Sequence, residues 1–217
     1  MRELIVNTFL TLDGVMQAPG GPEEDPRGGF EHGGWSFGYW DETMQDAMGE
    51  LMGKPFDLLL GRLTYEIFAA HWPDSEGPEA EALNRATKHV ASRTLRELGW
   101  ENSKLIEGEV PAAVRALKAE DGPELQVHGS AGLIQTLLAH DLVDQFSLFT
   151  FPLVLGEGKR LFAEGTVPAG LELTSSQTSA TGVVMATYRT GAEIRSGSFV
   201  PEQPSEAELE RRTRLER

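Results

Sequence analysis

Residues 125–158 carry a pattern that leaves little choice of architecture. Leu125, Gln126, Val127 and His128 alternate as a short strand does, Gly129, Ser130, Ala131 and Gly132 break the run, and Leu133, Ile134, Leu137 and Leu138 then recur at helical spacing. Beyond Asp141-Leu142-Val143-Asp144, residues 146–155 include Phe146, Leu148, Phe149, Phe151, Leu153, Val154 and Leu155. That is too apolar for a strand with one wet face, so burial on both faces is expected. Strand, crossover helix and strand make the unit from which parallel sheets are built. The small residues at the turn let a ligand approach the backbone, and the first amides of the following helix offer donors to an anion. Packing alone is an equally good reason for those glycines.

The rest of the composition narrows the partners. A chain of 217 residues with 40% hydrophobic content can bury one large core, and a net charge of -15 argues against nucleic acid or an anionic membrane as partner. Cysteine is absent, which excludes disulfides, thiolate metal sites and a cysteine nucleophile. The N-terminus lacks a basic region followed by an apolar core, and no segment approaches 18 uninterrupted apolar residues, so a cytoplasmic protein is expected.

Taken in order, residues 3–12 read as a first strand ending at Asp13-Gly14. Residues 19–38 form a long loop with seven glycines, three prolines and the aromatics Phe30, Trp35 and Phe37. Loops of that length commonly cover a site, and these aromatics are expected to roof a pocket and to order on ligand binding. The cluster Glu23-Glu24-Asp25 lacks the spacing of a calcium loop and reads as a solvated turn. Asp41 can cap a helix carrying Met44, Met48 and Met52, and these methionines read as core. Phe56 to Leu60 forms a strand leading into Gly61-Arg62-Leu63-Thr64, where Arg62 and Thr64 sit at a helix N-terminus suited to a second anion contact. Lys88 to Ala91 is a third strand, closed by Ser92-Arg93-Thr94. Leu171 to Gln177 and Val183 to Tyr188 read as an antiparallel hairpin, and the tail from residue 193 as charged, with Glu206 to Arg217 an exposed helix or an unstructured segment.

In sequence, Thr11-Leu12-Asp13-Gly14-Val15, Gly61-Arg62-Leu63-Thr64-Tyr65-Glu66, Ser92-Arg93-Thr94-Leu95, Gly129-Ser130-Ala131 and Leu155-Gly156-Glu157-Gly158 resemble the dihydrofolate reductase superfamily. The chain looks most like the branch around the reductase domain of bifunctional riboflavin biosynthesis enzymes, over roughly residues 2 to 190. The resemblance implies a three-layer α/β/α fold with a mixed, mainly parallel sheet and a C-terminal antiparallel hairpin. It implies NADPH as cofactor: Arg62 and Thr64, with Gly61, approach its phosphates; Ser92, Arg93 and Thr94 the ribose 2′-phosphate; Gly129, Ser130, Ala131 and Gly132 the pyrophosphate. Gly14 and Val15 are expected by the nicotinamide, and Leu155 and Gly156 on the opposite wall. Two departures are Ser130, where many relatives have a second glycine, and Gln145, where they have glutamate.

Residues 1–192 are therefore expected to form the reductase-like domain and residues 193–217 a tail. Asp13 is the candidate for orienting the acceptor or supplying a proton; as a turn residue it can instead bond backbone amides. Arg93 can read the 2′-phosphate or pair with Glu97, four positions on. The expected activity is hydride transfer from NADPH to a small heterocyclic or carbonyl acceptor, pterin-like or ribosylaminopyrimidine-like, without a metal. A second reading is a non-catalytic NADP(H)-binding module. A homodimer is expected from the apolar surface of residues 146–155, were they an edge strand.

Overall fold

The computed structural model of the chain describes residues 1–199 and 203–215. Strands β1 (Leu4–Thr11), β2 (Phe56–Gly61), β3 (Lys88–Ala91), β4 (Ser103–Leu105), β5 (Glu124–Val127), β6 (Gln145–Phe151), β7 (Gly170–Thr178) and β8 (Val184–Ala192) form one sheet. Their order is β4-β3-β2-β5-β1-β6-β8-β7. All pairs from β4 to β6 are parallel, whereas β8 pairs antiparallel with both β6 and β7. Five helices cover the sheet: α1 (Glu42–Met52), α2 (Arg62–His71), α3 (Pro78–Arg85), α4 (Val110–Ala119) and α5 (Ala131–Ala139).

Register decides what each face carries. Val6 of β1 lies opposite Val127 of β5 and Phe146 of β6, so alternate residues of three strands share one face. On it Leu4, Val6, Leu125 and Val127 pack against Val114 of α4 and Leu133, Ile134 and Leu137 of α5. On the other, Leu58, Leu60, Phe149 and Phe151 meet Met44, Met48 and Met52 of α1, Tyr65 of α2 and Leu83 of α3. The result is the expected three-layer α/β/α arrangement. Local signals set the helix ends: the Asp41 carboxylate accepts the Met44 amide at 2.9 Å, and Pro78 opens α3 behind Gly77.

One strand differs from its reading in sequence. β6 stops at Phe151, because Pro152 has no amide to continue the ladder, and residues 153–155 lie outside it. It is not an edge either. β1 and β8 flank it, so its apolar side chains are spent within the chain and give no argument for a dimer. The sheet edges are β4 and β7.

Past β8, a helix α6 (Glu206–Leu215) buries no residue, and Glu208 pairs within it with Arg211 and Arg212 at 2.7 and 2.9 Å. Among the described residues no helix is long and apolar enough to cross a membrane.

Candidate active site

A cavity of about 880 Å³ lies on the α1–α3 side of the sheet, at the carboxyl ends of β1, β2 and β5. Open α/β sheets hold ligands at that edge, and the volume suits a small organic molecule. At one end the wall is made by residues 129–132 and Thr64. Gly129 has φ +141°, and a Cβ there would come within 2.8 Å of Thr64 Oγ1. Its peptide bond to Ser130 is cis. Ser130 occupies the N-cap position of α5 without capping it. Its Oγ instead lies 2.9 Å from Thr64 Oγ1 and accepts the Thr64 amide at 3.3 Å. Neither N-cap residue caps its own helix with a side chain, and apart from the Thr64 amide taken by Ser130 the first amides of α2 and α5 remain as donors at this end of the cavity. Gly132 has open space where a side chain would stand. Such a cradle fits a pyrophosphate.

Gly61 has a different job. A Cβ on it would meet Ser130 Oγ at 2.5 Å, so it keeps α2 and α5 in contact and lies outside the cavity wall. Arg62 also lies outside the wall and pairs with Glu66 at 3.1 Å on the surface. At the end of β3, Ser92 Oγ accepts the amides of Thr94 and Leu95 at 3.2 and 3.0 Å, shaping an exposed turn. Arg93 makes no ion pair among the described residues, so the contact with Glu97 is not formed.

Asp13 is built into a brace. Its carboxylate accepts the Thr11 hydroxyl at 2.5 Å, the amides of Leu155 and Gly156 at 3.2 and 2.8 Å, and Arg160 at 3.3 Å. Desolvation pushes its pKa up, but these donors outweigh it and hold the carboxyl at about 2. Gly14, at φ +80°, turns the chain so that its carbonyl accepts the Leu161 amide. Val15 is fully buried against Ala18 and Phe30, and it is Met16 that reaches the cavity. Asp13, Gly14, Val15, Leu155 and Gly156 thus form a clasp behind the wall rather than the wall itself.

The wall also carries polar residues that the sequence did not single out. Asn7 of β1, His128 after β5 and Glu79 in the first turn of α3 all line the cavity. Along β5, Gln126 donates to Glu124 at 2.7 Å and to the Leu51 carbonyl at 3.2 Å, which leaves its oxygen for His128 Nε2 at 3.0 Å. His128 therefore carries its proton on Nε2, and burial pushes its pKa down to about 4, so it is neutral at pH 7. Burial raises the Glu79 carboxyl above its ordinary value against the pull of His71. The one sequence signal for these groups was an amide at a buried strand position, Asn7 within β1 and Gln126 within β5.

The loop of residues 19–38 reaches the site by its first half. Residues 16–25 and Arg27 line the cavity, while Phe30, Trp35 and Phe37 do not. Phe30 is buried against Val15 and Ala18; Trp35 stacks edge-on against Phe151 and donates to the Gln17 carbonyl at 2.8 Å; Phe37 is 85% exposed. Phe30 and Trp35 therefore anchor the loop, and none of the three aromatics roofs the pocket. Gln17 is its hub, donating to the carbonyls of Asp25 and Arg27 and accepting the Lys159 amide at 3.0 Å. Glu24 accepts the amides of Gly20 and Gly21, and Asp25 bridges Arg27 and Lys159 at 2.6 Å each.

With sheet order and cavity established, the class is defined: a dihydrofolate-reductase-like fold with a cavity at its strand ends. The RibD C-terminal domain model matches residues 2–185, and the chain belongs to that family. An uncharacterized protein of Bacillus subtilis, YyaP, is 28% identical over 196 residues, covering 86% of this chain and 94% of its own. A crystal structure of a putative riboflavin biosynthesis protein from Shewanella superposes with a TM-score of 0.68 at 24% identity, covering 88% of this chain and 99% of that one. A pyrimidine reductase-like protein from Corynebacterium diphtheriae gives 0.57 at 14% identity, covering 88% and 93%. Dihydrofolate reductase from Enterococcus faecalis, complexed with NADP(H), gives 0.55 at 14%, covering 88% and 97%.

Proposed function

We propose that the protein is an NADPH-dependent reductase that transfers hydride to a small heterocyclic or carbonyl acceptor. The observation that carries this reading is the cavity itself, whose wall combines the N-terminal turns of α2 and α5 with Met16, Met48 and Met52 and a few polar groups. Membership of the RibD C-terminal domain family and the NADP(H) complex of the Enterococcus structure support the choice of cofactor.

In this reading the cofactor supplies the hydride and the protein holds and orients. Thr64 and the amides of residues 129–132 hold the pyrophosphate, and Ser92, Arg93 and Thr94 receive the 2′-phosphate. Asp13 fixes the turns that carry Gly14, Val15, Leu155 and Gly156, and so shapes the nicotinamide end without touching it. With a pKa of about 2 it is a poor proton source at pH 7. Glu79 suits that task better, since it lines the cavity and burial favours its protonated form. Association into a homodimer belongs to the same proposal, through the exposed hairpin β7–β8 with Leu173 and Val184 on its surface.

NADPH oxidation at 340 nm against a panel of pterins, aminopyrimidines and carbonyl compounds tests the reading. Consumption of NADPH with at least one acceptor is expected, falling steeply in Glu79→Gln and declining as pH rises through the Glu79 pKa. Tight NADPH binding without consumption by any acceptor would favour the non-catalytic module instead.

A further inference from the structure

Among the described residues, the buried side-chain atoms that find no hydrogen-bond partner are few, and both polar atoms of the Asn7 amide are among them. A buried amide with neither donor nor acceptor used is destabilising in a finished core, because its desolvation is not repaid. Asn7 is not in a finished core. It is 3% exposed, sits in the middle of β1 with Val6 and Thr8 on either side, and lines the cavity. The same cavity wall carries Met16, Met48, Met52 and Phe9, which offer no polar group. Three methionines with unbranched side chains can move aside for a flat ring, which a wall of branched residues would resist.

The charges around this end point to the kind of ring. Arg27 and Lys159 are both committed to Asp25, while Glu24 and Glu79 add carboxyls to the wall. His128 is neutral, with Nε2 given to Gln126. No uncommitted arginine or lysine among the described residues lines the cavity to meet an anion.

We infer that Asn7 pairs with the amide edge of an uncharged, flat ligand, its NH₂ donating to a ring or exocyclic carbonyl and its oxygen accepting the adjacent N–H. This deepens the reductase reading and rests on it for the identity of the site. Two sources present that edge: a lactam of the hydride acceptor, and the carboxamide of the nicotinamide itself.

The test uses the full chain, wild type and Asn7→Leu, a replacement of similar size without hydrogen-bonding atoms. Without ligand, Asn7→Leu is expected to melt at or above the wild-type temperature, because an unsatisfied amide has been removed. Calorimetry then follows two pairs of probes. Lumazine is compared with 1,3-dimethyllumazine, whose N–H groups are blocked, in the presence of NADP⁺. NADPH is compared with its 3-acetylpyridine analogue, which lacks the amide N–H. Wild type is expected to prefer the unblocked member of one pair by tenfold or more, and Asn7→Leu to lose that preference. Loss in the lumazine pair assigns the edge to the acceptor, and loss in the dinucleotide pair assigns it to the cofactor. Equal preferences in both proteins for both pairs would overturn the inference. Lumazine-6-carboxylate binding as tightly as lumazine would overturn its uncharged part. Failure of NADPH to bind wild type at all would instead sink the reductase reading, and the lumazine pair would still report on Asn7.

Discussion

The two faces of the central sheet are filled by different rules. Toward α4 and α5, leucines, valines and Ile134 interdigitate, and Leu4, Val6, Leu125, Val127, Ile134 and Leu137 are each fully buried. Toward α1–α3 methionines and aromatics join Leu58, Leu60 and Leu83, with Asn7 and Gln126 set into the strands beneath them. The first face spends its surface on stability. The second leaves about 880 Å³ unfilled and a polar group unsatisfied, conditions a core ordinarily eliminates. A site is built where packing is left incomplete.

The largest effect should come from the filled face. Leu137→Ala removes a fully buried side chain of α5 and should lower stability by about 2–5 kcal/mol in urea unfolding. Met48→Ala, beside a space that already exists, should lower it by clearly less; equal losses would break the contrast between the faces.

Binding should depend on the other side. Arg93→Ala is expected to weaken NADPH by about 1.5–3 kcal/mol, the size of a charged hydrogen bond, while leaving NADH nearly unchanged. Titration of both cofactors into wild type and variant decides it, and equal loss for both would show that Arg93 does not read the phosphate.

A smaller effect concerns pH. The folded-state pKa of His128, about 4, lies below its unfolded value, so the unfolded chain binds the proton first as pH falls. Stability from neutral His128 is therefore complete above about pH 6.5 and is lost progressively from there to about pH 4. The gap in denaturation midpoint between wild type and His128→Gln should shift against wild type over that window. A gap constant from pH 7 to 4.5 would mean that the histidine is not shielded. Asp13 works in a lower window: its contribution is present above about pH 4 and lost toward its folded value of about 2. The smallest effect expected is that of Met48→Leu, under about 1.5 kcal/mol, since a flexible wall accepts a volume-conserving change.

Much of the fold was legible because it rests on local rules. Alternation marked the strands, small residues marked the turn at residues 129–132, and Asp41 and Pro78 marked helix starts, each a matter of a few neighbouring residues. What local pattern misjudged were positions whose fate depends on distant chain. The apolar run after Gln145 reads as buried on both faces, but whether it also lies at a sheet edge waits on β8, some forty residues later, which pairs with it. Phe30 and Trp35 read as a roof until Val15 and Phe151 offer them a place to pack.

Asp13 shows the same division within one residue. The sequence by itself determined that a carboxylate stands at the end of β1, next to a glycine able to turn the chain. Only the tertiary structure decided its use, by bringing the amides of Leu155 and Gly156 and the guanidinium of Arg160 to it across more than 140 residues. Asn7 is the converse: the sequence places an amide among apolar neighbours, and the packing of α1 and the loop decides that it meets a cavity and no partner. Backbone preference acts over a few residues and is written in them, whereas desolvation and hydrogen-bond satisfaction depend on whatever the fold carries into contact.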